Sequence, residues 1–313
     1  MKKFKFAIVL GGGGVRGLAH IGVLKILHNE GLIPSFIVGT SMGAVVGALY
    51  SATLNPEEIE KMARELIKSK EFSELRFEVL RGSHTAKLNI IEKFLHGVRK
   101  FFIYNMEFMR NSIITEELSR KIIERTIPYE SFDELKIPFY AVSTCIVRGE
   151  PVIHNSGNLR KAVLASISIP GVFPPVRYNG RCLVDGASVS STPVRIAKSL
   201  GADFVLGVEV RPRLRRMGVP KRGIDVIFRA SDITAEILHE VEISKADFVL
   251  HPKVKNIHWA NFKKYNFCIR KGEEEAKRYI KEIKKKIKTK KFSSFFKRIF
   301  MAHWQKVCQY KNT

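Results

Sequence analysis

The sequence of 313 residues has few cysteines, few acidic residues and no long apolar run. Its four cysteines are widely separated and none stands in a Cys-x-x-Cys pair, which argues against a zinc site and a disulfide framework. No stretch of about 18 apolar residues is present, so no transmembrane helix is expected. The short apolar run at residues 6–10 is too short for the core of a signal peptide. These absences favour a cytoplasmic protein with reduced thiols.

Acidic residues are outnumbered by basic ones, with 30 Asp and Glu against 54 Lys and Arg and a net charge of +24. Part of the surplus is concentrated in residues 270–313, which contain 15 basic and 4 acidic side chains. Such a balance attracts anionic membranes, nucleic acids and acidic ligands. No nucleic-acid recognition motif is present, so nucleic acid is not an expected partner. The hydrophobic content of 45% predicts a globular protein with a sizeable core.

The N-terminal third alternates between buried-strand and helix patterns. The apolar run at residues 6–10 ends in four glycines, and residues 18–30 then carry apolar side chains at helical spacing. A second apolar run at residues 36–38 leads through a small-residue turn into a helix over residues 44–52. This order predicts an α/β fold with a mainly parallel sheet and right-handed crossovers. Further strands are predicted at residues 139–144, 182–184 and 204–210.

The glycine turn after the first strand allows two functional interpretations. Gly12, Gly14 and Gly17 satisfy the Gly-x-Gly-x-x-Gly spacing of dinucleotide sites, but the second strand ends without the acidic residue that would bind a ribose. The same backbone can instead direct amide groups at the oxyanion of an acyl-transfer reaction, with Arg16 adding positive charge. A tight turn without a ligand is the third interpretation.

The turn after the second strand has the pattern Gly-x-Ser-x-Gly, with Ser41 between Gly39 and Gly43. A nucleophilic serine on a sharp strand-to-helix turn needs glycine two residues to either side, because larger side chains would collide with the backbone. The pattern therefore predicts Ser41 as a nucleophile. The alternative is a small-residue turn that packs against the sheet.

A serine nucleophile needs a base, and the sequence offers a carboxylate more readily than a histidine. Asp185 follows a predicted strand and precedes Gly186 and Ala187, so we expect it at the carboxyl edge of the sheet near Ser41. The alternative is a structural aspartate in a turn. Of the nine histidines, His154 and His251 are the ones that a Ser-His-Asp triad would require.

Taken together, residues 12–17, 39–43 and 185–187 resemble the three motifs of the patatin-like phospholipases, in the same order. The resemblance covers about residues 5–210 and is closest to the compact bacterial members. It implies a three-layer α/β/α fold and a Ser-Asp pair in which Asp185 accepts the proton of Ser41, with no metal or cofactor. The residues that it assigns to the oxyanion hole are Gly12, Gly13, Gly14, Arg16 and Gly17, and chiefly the amides of Gly13 and Gly14. Family members often carry Asn a few residues after the base motif, where this chain has serines.

The expected organisation is a hydrolase domain at residues 1–270, with a helical lid or pocket insertion at about 70–115, followed by a basic amphipathic tail at 271–313. Ser293 and Ser294 are candidate caps of a separate last helix. The tail is expected to dock on an anionic membrane, on its cytoplasmic face, unless its apolar stripe packs on the body instead.

The expected activity is hydrolysis of phospholipid or lysophospholipid esters. The alternatives are a weakly active or inactive membrane- or protein-binding module and, less favoured, a nicotinamide enzyme. The oligomeric state is not predicted.

Overall fold

The computed structural model describes residues 3–70, 72 and 112–310 apart from 215, 221 and 255, and omits the side chains of 224 and 297–310. The predicted lid or pocket insertion at about 70–115 falls almost wholly outside these residues.

One mixed sheet of eight strands forms the centre of the described fold, in the order β5-β6-β3-β2-β1-β7-β8, with β4 paired to β3. The strands are β1 (Phe6–Leu10), β2 (Phe36–Thr40), β3 (Phe139–Cys145), β4 (Glu150–His154), β5 (Val176–Tyr178), β6 (Arg181–Asp185), β7 (Phe204–Val208) and β8 (Phe248–Leu250). The run from β3 to β8 is parallel, whereas β4, β5 and β6 pair antiparallel. The prediction of a mainly parallel sheet is confirmed.

Helices cover both faces of this sheet. They are α1 (Ala19–Asn29), α2 (Met42–Thr53), α3 (Pro56–Lys68), α4 (Glu116–Thr126), α5 (Leu159–Ile167), α6 (Val194–Ser199), α7 (Gly223–Ile243) and α8 (Tyr265–Tyr310). Because side chains alternate along a strand, Ile8 and Leu10 of β1 pack into the larger core with α1, α2 and α8, whereas Ala7 and Val9 pack into the smaller core with α6. This arrangement is the predicted three-layer α/β/α fold.

The C-terminal helix α8 is continuous through residues 293 and 294, so these serines do not cap a separate helix. Its first half packs closely on α1, where a side chain at Gly272 would overlap the carbonyl of Ala19. Ile283 of α8 is fully buried in the larger core. Beyond Ile287, which still packs on this core, the apolar stripe leaves the body, and the exposed side chains include Phe292, Phe295 and Phe296.

The stripe expected of the tail therefore has two parts, one packed and one exposed. The division into residues 1–270 and 271–313, whose boundary falls inside α8, stays a prediction.

Candidate active site

Ser41 occupies the turn between β2 and α2 in a conformation that is rare for a residue with a side chain, with φ of 55° and ψ of −125°. The surrounding backbone explains the two glycines of the motif. A Cβ on Gly39 would lie 2.5 Å from the carbonyl oxygen of Gly43, and a Cβ on Gly43 would overlap the carbonyl of Leu10. The turn thus presents the Ser41 side chain beyond the end of β2.

The backbone of this turn is held by Ser166 of α5, whose hydroxyl is fully buried. The amide of Ser41 donates to Ser166 Oγ at 3.0 Å, and Ser166 Oγ donates to the carbonyl oxygen of Val142 at 2.6 Å. One serine therefore joins the nucleophile turn to β3. Sequence reasoning did not assign this role, because serine is common and its partner lies 125 residues away.

Asp185 ends β6, and its carboxyl group lies next to Ser41, whose side chain lowers the pKa of that carboxyl. In the sheet, Thr40 lies opposite Val142 of β3, and Asp185 lies opposite the next residue, Ser143. This register brings Ser41, which follows Thr40, next to Asp185. Asp185 thus lies beside Ser41 at the expected edge of the sheet, but β6 reaches this position antiparallel to β3. The two side chains meet because β2 stops where β6 arrives from the opposite direction.

Burial controls the protonation of Asp185, which is 3% exposed. Burial raises its pKa from 3.8 to about 6, against the opposing effect of hydrogen bonds from the Ala187 amide and the Ser41 hydroxyl. The Ala187 amide donates to Asp185 Oδ1 at 2.8 Å, while Gly186 packs against the carbonyl of Val142. A carboxyl group of this kind is ionised at neutral pH and still close to its pKa, which suits a general base.

The glycine turn faces Ser41, since a Cβ on Gly12 would lie 3.2 Å from Ser41 Cβ. The Gly12 amide is already bound, because it donates to the carbonyl oxygen of Ser191 at 2.8 Å. Within the described residues, the amides of Gly13 and Gly14 have no hydrogen-bond acceptor in the protein. These two amides are the ones in the turn that remain free for an oxyanion.

Arg16 and Gly17 support this turn from behind. Arg16 Nε donates to the carbonyl oxygen of Gly13 at 3.2 Å, which fixes the peptide bond that carries the Gly14 amide. Burial lowers the pKa of Arg16 to about 10, so the guanidinium stays charged at neutral pH. Gly17 packs against Met42, where a Cβ would lie 2.6 Å from Met42 Cβ.

A second polar network holds the segment that follows the base motif, where the resemblance leads one to expect Asn. Ser191 Oγ lies 2.9 Å from His239 Nδ1, and His239 Nε2 lies 2.9 Å from Glu209 Oε1. The two histidines that a triad would require are elsewhere. His154 Nε2 bonds Ser143 Oγ at 2.8 Å, and His251 Nδ1 lies 2.6 Å from Glu209 Oε2.

An apolar pocket opens beside Ser41, and its empty space of about 970 Å³ includes open solvent. Its wall combines side chains from α2, α3, α4 and the segment before α8. Lining residues include Val46, Leu49, Ile59, Met62, Phe72, Ile122, Phe173, Trp259 and Phe262, with Arg125 as the charged member. The surroundings of Ser41 therefore suit a long apolar group better than a polar one.

The described part of the chain has no group of three His, Cys, Asp or Glu side chains that could hold a metal ion. None of its helices combines the length and apolarity that a membrane crossing needs.

The sheet, the serine turn and the glycine turn agree with a family comparison. The model of the patatin-like phospholipases matches residues 8–198, which is more than half of the chain. The chain belongs to the patatin-like phospholipase family, as the sequence motifs predicted.

The relatives with known names are much longer proteins. Patatin-like phospholipase domain-containing protein 6 of Mus musculus is 30% identical over 206 residues, which are 65% of this chain and 13% of that protein. A lysophospholipase of Aspergillus fumigatus is 30% identical over 65% of this chain and 12% of its own length. An uncharacterized NTE family protein of Mycobacterium bovis is 26% identical over 86% of this chain and 45% of its own length. By their names, the first two belong to the expected enzyme class, the carboxylic ester hydrolases.

A solved structure also shares the fold. Human GIVD cytosolic phospholipase A2, in complex with a methyl gamma-linolenyl fluorophosphonate inhibitor, superposes with a TM-score of 0.52 at 12% identity. The superposition covers 93% of this chain and 60% of that one, and it supports the three-layer architecture.

Proposed function

We propose that this chain hydrolyses carboxylic esters of phospholipid or lysophospholipid through an acyl-serine intermediate, with Ser41 as nucleophile and Asp185 as base. The observation that carries the proposal is the closeness of Ser41 to the buried carboxyl of Asp185, beside an apolar cavity. The names of the relatives, which include a phospholipase and a lysophospholipase, support the same substrate class.

In the first step, ionised Asp185 accepts the hydroxyl proton of Ser41 while Ser41 Oγ attacks the ester carbonyl carbon. The carbonyl becomes an oxyanion, and the amides of Gly13 and Gly14 donate to it. Protonated Asp185 then returns the proton to the leaving alcohol as the ester bond breaks. Each donor of this kind contributes about 3–4 kcal/mol to the stabilisation of a transition state.

In the second step, Asp185 takes a proton from water, which attacks the acyl-serine. Collapse of the second oxyanion releases the fatty acid and returns the proton to Ser41 Oγ. The apolar cavity holds the acyl chain through both steps. Among the described lining residues, Arg125 at the wall is the charged side chain for a headgroup.

The test is covalent labelling with a fluorophosphonate, together with release of fatty acid from lysophosphatidylcholine micelles. The wild type is expected to label and to release fatty acid. Ser41→Ala removes the nucleophile and should abolish both. Asp185→Asn keeps the hydroxyl but removes the base, so it should label at least about a hundredfold more slowly.

The alternative is that this fold serves here as a binding module with a weak or idle site. Failure of the correctly folded wild type to label would favour the module and overturn the proposed reaction. Labelling that persists in Ser41→Ala would show that another residue reacts. A matched control is Ser199→Ala, because Ser199 is an exposed serine on α6 that bonds the carbonyl oxygen of Ile196.

We further propose that the C-terminal part of α8 brings the site to the cytoplasmic face of an anionic membrane. Phe292, Phe295 and Phe296 are 66%, 45% and 52% exposed, and they follow the lysine-rich residues 284–291. Apolar side chains beside lysines favour binding at the surface of anionic lipid. A vesicle sedimentation assay of Phe295→Asp against the wild type tests this, and equal binding of the two would refute it.

A further inference from the structure

The C-terminal part of helix α7 (Gly223–Ile243) lies on the body with its polar side inward and its apolar side outward, whereas residues 226–235 are mostly exposed. The residues that hold it are His239, which bonds Ser191, Glu242, which accepts from the Arg195 amide at 3.3 Å, and Glu236, which pairs with Arg211 at 3.1 Å. His239 and Glu242 are buried. A surface helix of a globular protein normally shows the opposite arrangement, with its apolar stripe on the core.

The outward side of α7 is a continuous apolar stripe. Val226, Ile233, Ile237 and Val241 recur at helical spacing and are 51%, 42%, 59% and 51% exposed. Ile227 and Leu238, which are 65% and 39% exposed, lie beside this stripe, whereas Phe228, which is 63% exposed, lies on another side of the helix. On a helix this spacing gathers the stripe on the side opposite His239 and Glu242. Exposed apolar surface on this scale marks a binding site.

The segment that leads into α7 supplies positive charge next to the N-terminal end of the helix. Residues 211–222 contain six Lys and Arg and no acidic residue. Arg213 and Arg216 are exposed, as are Met217 and Val219 at 55% and 90%. Apolar and basic side chains thus alternate on one exposed loop, the combination that inserts into the interface of an anionic bilayer.

We propose that the α7 surface, defined as the exposed side of α7 together with the loop at residues 211–222, docks on anionic lipid. The basic loop binds lipid headgroups and the apolar stripe enters the interfacial layer. A second copy of the chain is the alternative occupant, because its α7 carries five acidic residues that would face the basic loop, and the test below distinguishes it from lipid. The proposal concerns a surface other than the exposed end of α8.

The α7 surface is also linked to the glycine turn. His239 bonds the hydroxyl of Ser191, and the carbonyl of Ser191 accepts from the Gly12 amide. A helix that contacts lipid on one side therefore holds, on its other side, the segment that positions the oxyanion donors.

Binding can be measured without turnover, so the result does not depend on the proposed hydrolysis. Full-length Ser41→Ala protein is sedimented with vesicles of phosphatidylcholine alone or of an equal mixture with phosphatidylglycerol. The same background then carries Ile233→Asp with Ile237→Asp, or Arg213→Glu with Arg216→Glu. Val147→Asp is the matched control, since Val147 is 78% exposed on the turn between β3 and β4.

The parent protein is expected to prefer the anionic vesicles, and added salt should weaken its binding. The stripe variant should bind roughly tenfold less tightly for each side chain changed, and the loop variant roughly fivefold less for each charge removed. The control should bind like the parent. A thermal melt of each variant establishes that it is folded, and if the stripe variant is not, the loop variant decides.

Three outcomes would overturn the proposal. The first is no binding of the parent to either vesicle, and the second is equal binding of the parent and both α7 variants. The third is a concentration-dependent dimer, seen by light scattering, that the stripe variant disrupts, because the occupant would then be a second copy. Loss of binding in Phe295→Asp alone would assign docking to α8 and belongs to the second outcome.

Discussion

Asp185 offers a pH dependence that links its burial to the proposed mechanism. Burial raises its pKa from 3.8 to about 6 in the folded protein. With that pKa, about a tenth of the molecules carry the ionised base at pH 5 and about nine tenths at pH 7. Because the ionised carboxyl group accepts the proton of Ser41, kcat/KM is expected to rise about tenfold across this interval and then to level off.

The same raised pKa has a consequence for stability. The folded state binds the Asp185 proton more tightly than the unfolded state, so this group's contribution to stability is fully present below pH 3.8 and is lost as the pH rises through about 6. The loss corresponds to about two pKa units, or about 3 kcal/mol. The Asp185→Asn variant cannot ionise at this position, so it should not lose this contribution to stability as the pH rises. The unfolding free energy of the variant, minus that of the wild type, should therefore increase by about 3 kcal/mol between about pH 4 and pH 7.5.

Two measurements check this reasoning. Urea unfolding of wild type and Asp185→Asn at a series of pH values isolates the contribution of one carboxyl group, since the other titrating groups are shared. The pH profile of kcat/KM with a soluble short-chain ester gives the apparent pKa of the base. Parallel stability curves for the two proteins, or an activity midpoint near the ordinary pKa of aspartate, would refute the assignment of Asp185 as a buried base.

Four other changes test the remaining parts of the site. Ser166→Ala leaves a buried amide and a buried carbonyl without a partner, and should lower the unfolding free energy by about 2–5 kcal/mol and slow fluorophosphonate labelling. Gly43→Ala places a methyl group on the Leu10 carbonyl, and should cost about 3 kcal/mol or more and abolish labelling. Ser191→Ala removes the hydroxyl that His239 holds, and should lower kcat about tenfold with little change in KM. Met62→Trp fills the cavity, and should lower kcat/KM about tenfold for long-chain but not for short-chain esters.

Each of these changes has an outcome that contradicts it. Ser199→Ala removes an exposed serine, and its unfolding free energy should stay within about 0.5 kcal/mol of the wild type. If Ser166→Ala lost no more unfolding free energy than this control, Ser166 would have no special role. Normal labelling by Gly43→Ala would mean that the turn can move aside. An unchanged kcat in Ser191→Ala would separate His239 from the glycine turn. A loss of short-chain activity in Met62→Trp would indicate a damaged site in place of a filled cavity.

The parts of the site that the sequence predicted are those whose requirements are local. Gly39 and Gly43 flank Ser41 because the backbone within a few residues leaves no space for side chains, so the spacing itself carries the information. The strands before the glycine turn and the serine turn are continuous apolar runs, and such a run is sufficient to predict a buried parallel strand. The predicted strand at residues 182–184 extends to Arg181–Asp185, but its antiparallel direction could not be read from so short a run.

Other features depend on contacts that no local pattern records. Ser166 reaches Ser41 across 125 residues, and Ser191 reaches His239 across 48. β5 and β8 are three residues each, too short for a periodic signal. Helix α7 was not predicted, although its apolar side chains recur at helical spacing, and the exposure of these side chains follows from the tertiary structure.

The α8 stripe shows why periodicity alone does not define an environment. Ile280, Ile283 and Ile287 pack on the larger core, whereas the phenylalanines that continue the same stripe are exposed. Both halves carry apolar side chains at helical spacing. The position at which the helix passes the end of the sheet decides which half is covered, and that position follows from the tertiary structure.

The segment between β8 and α8 shapes the cavity but contains none of the proposed reacting groups. Trp259 and Phe262 line the cavity, and the carbonyl oxygen of Trp259 accepts from the Val15 amide at 2.8 Å behind the glycine turn. Both aromatic residues lie beyond residue 198, where the family match ends. A chimera that exchanged only the matched region between two relatives would thus inherit the reacting groups of one parent and part of the acyl-chain wall of the other. Substitutions in this segment can therefore change which acyl chain is accepted while the reacting groups stay unchanged.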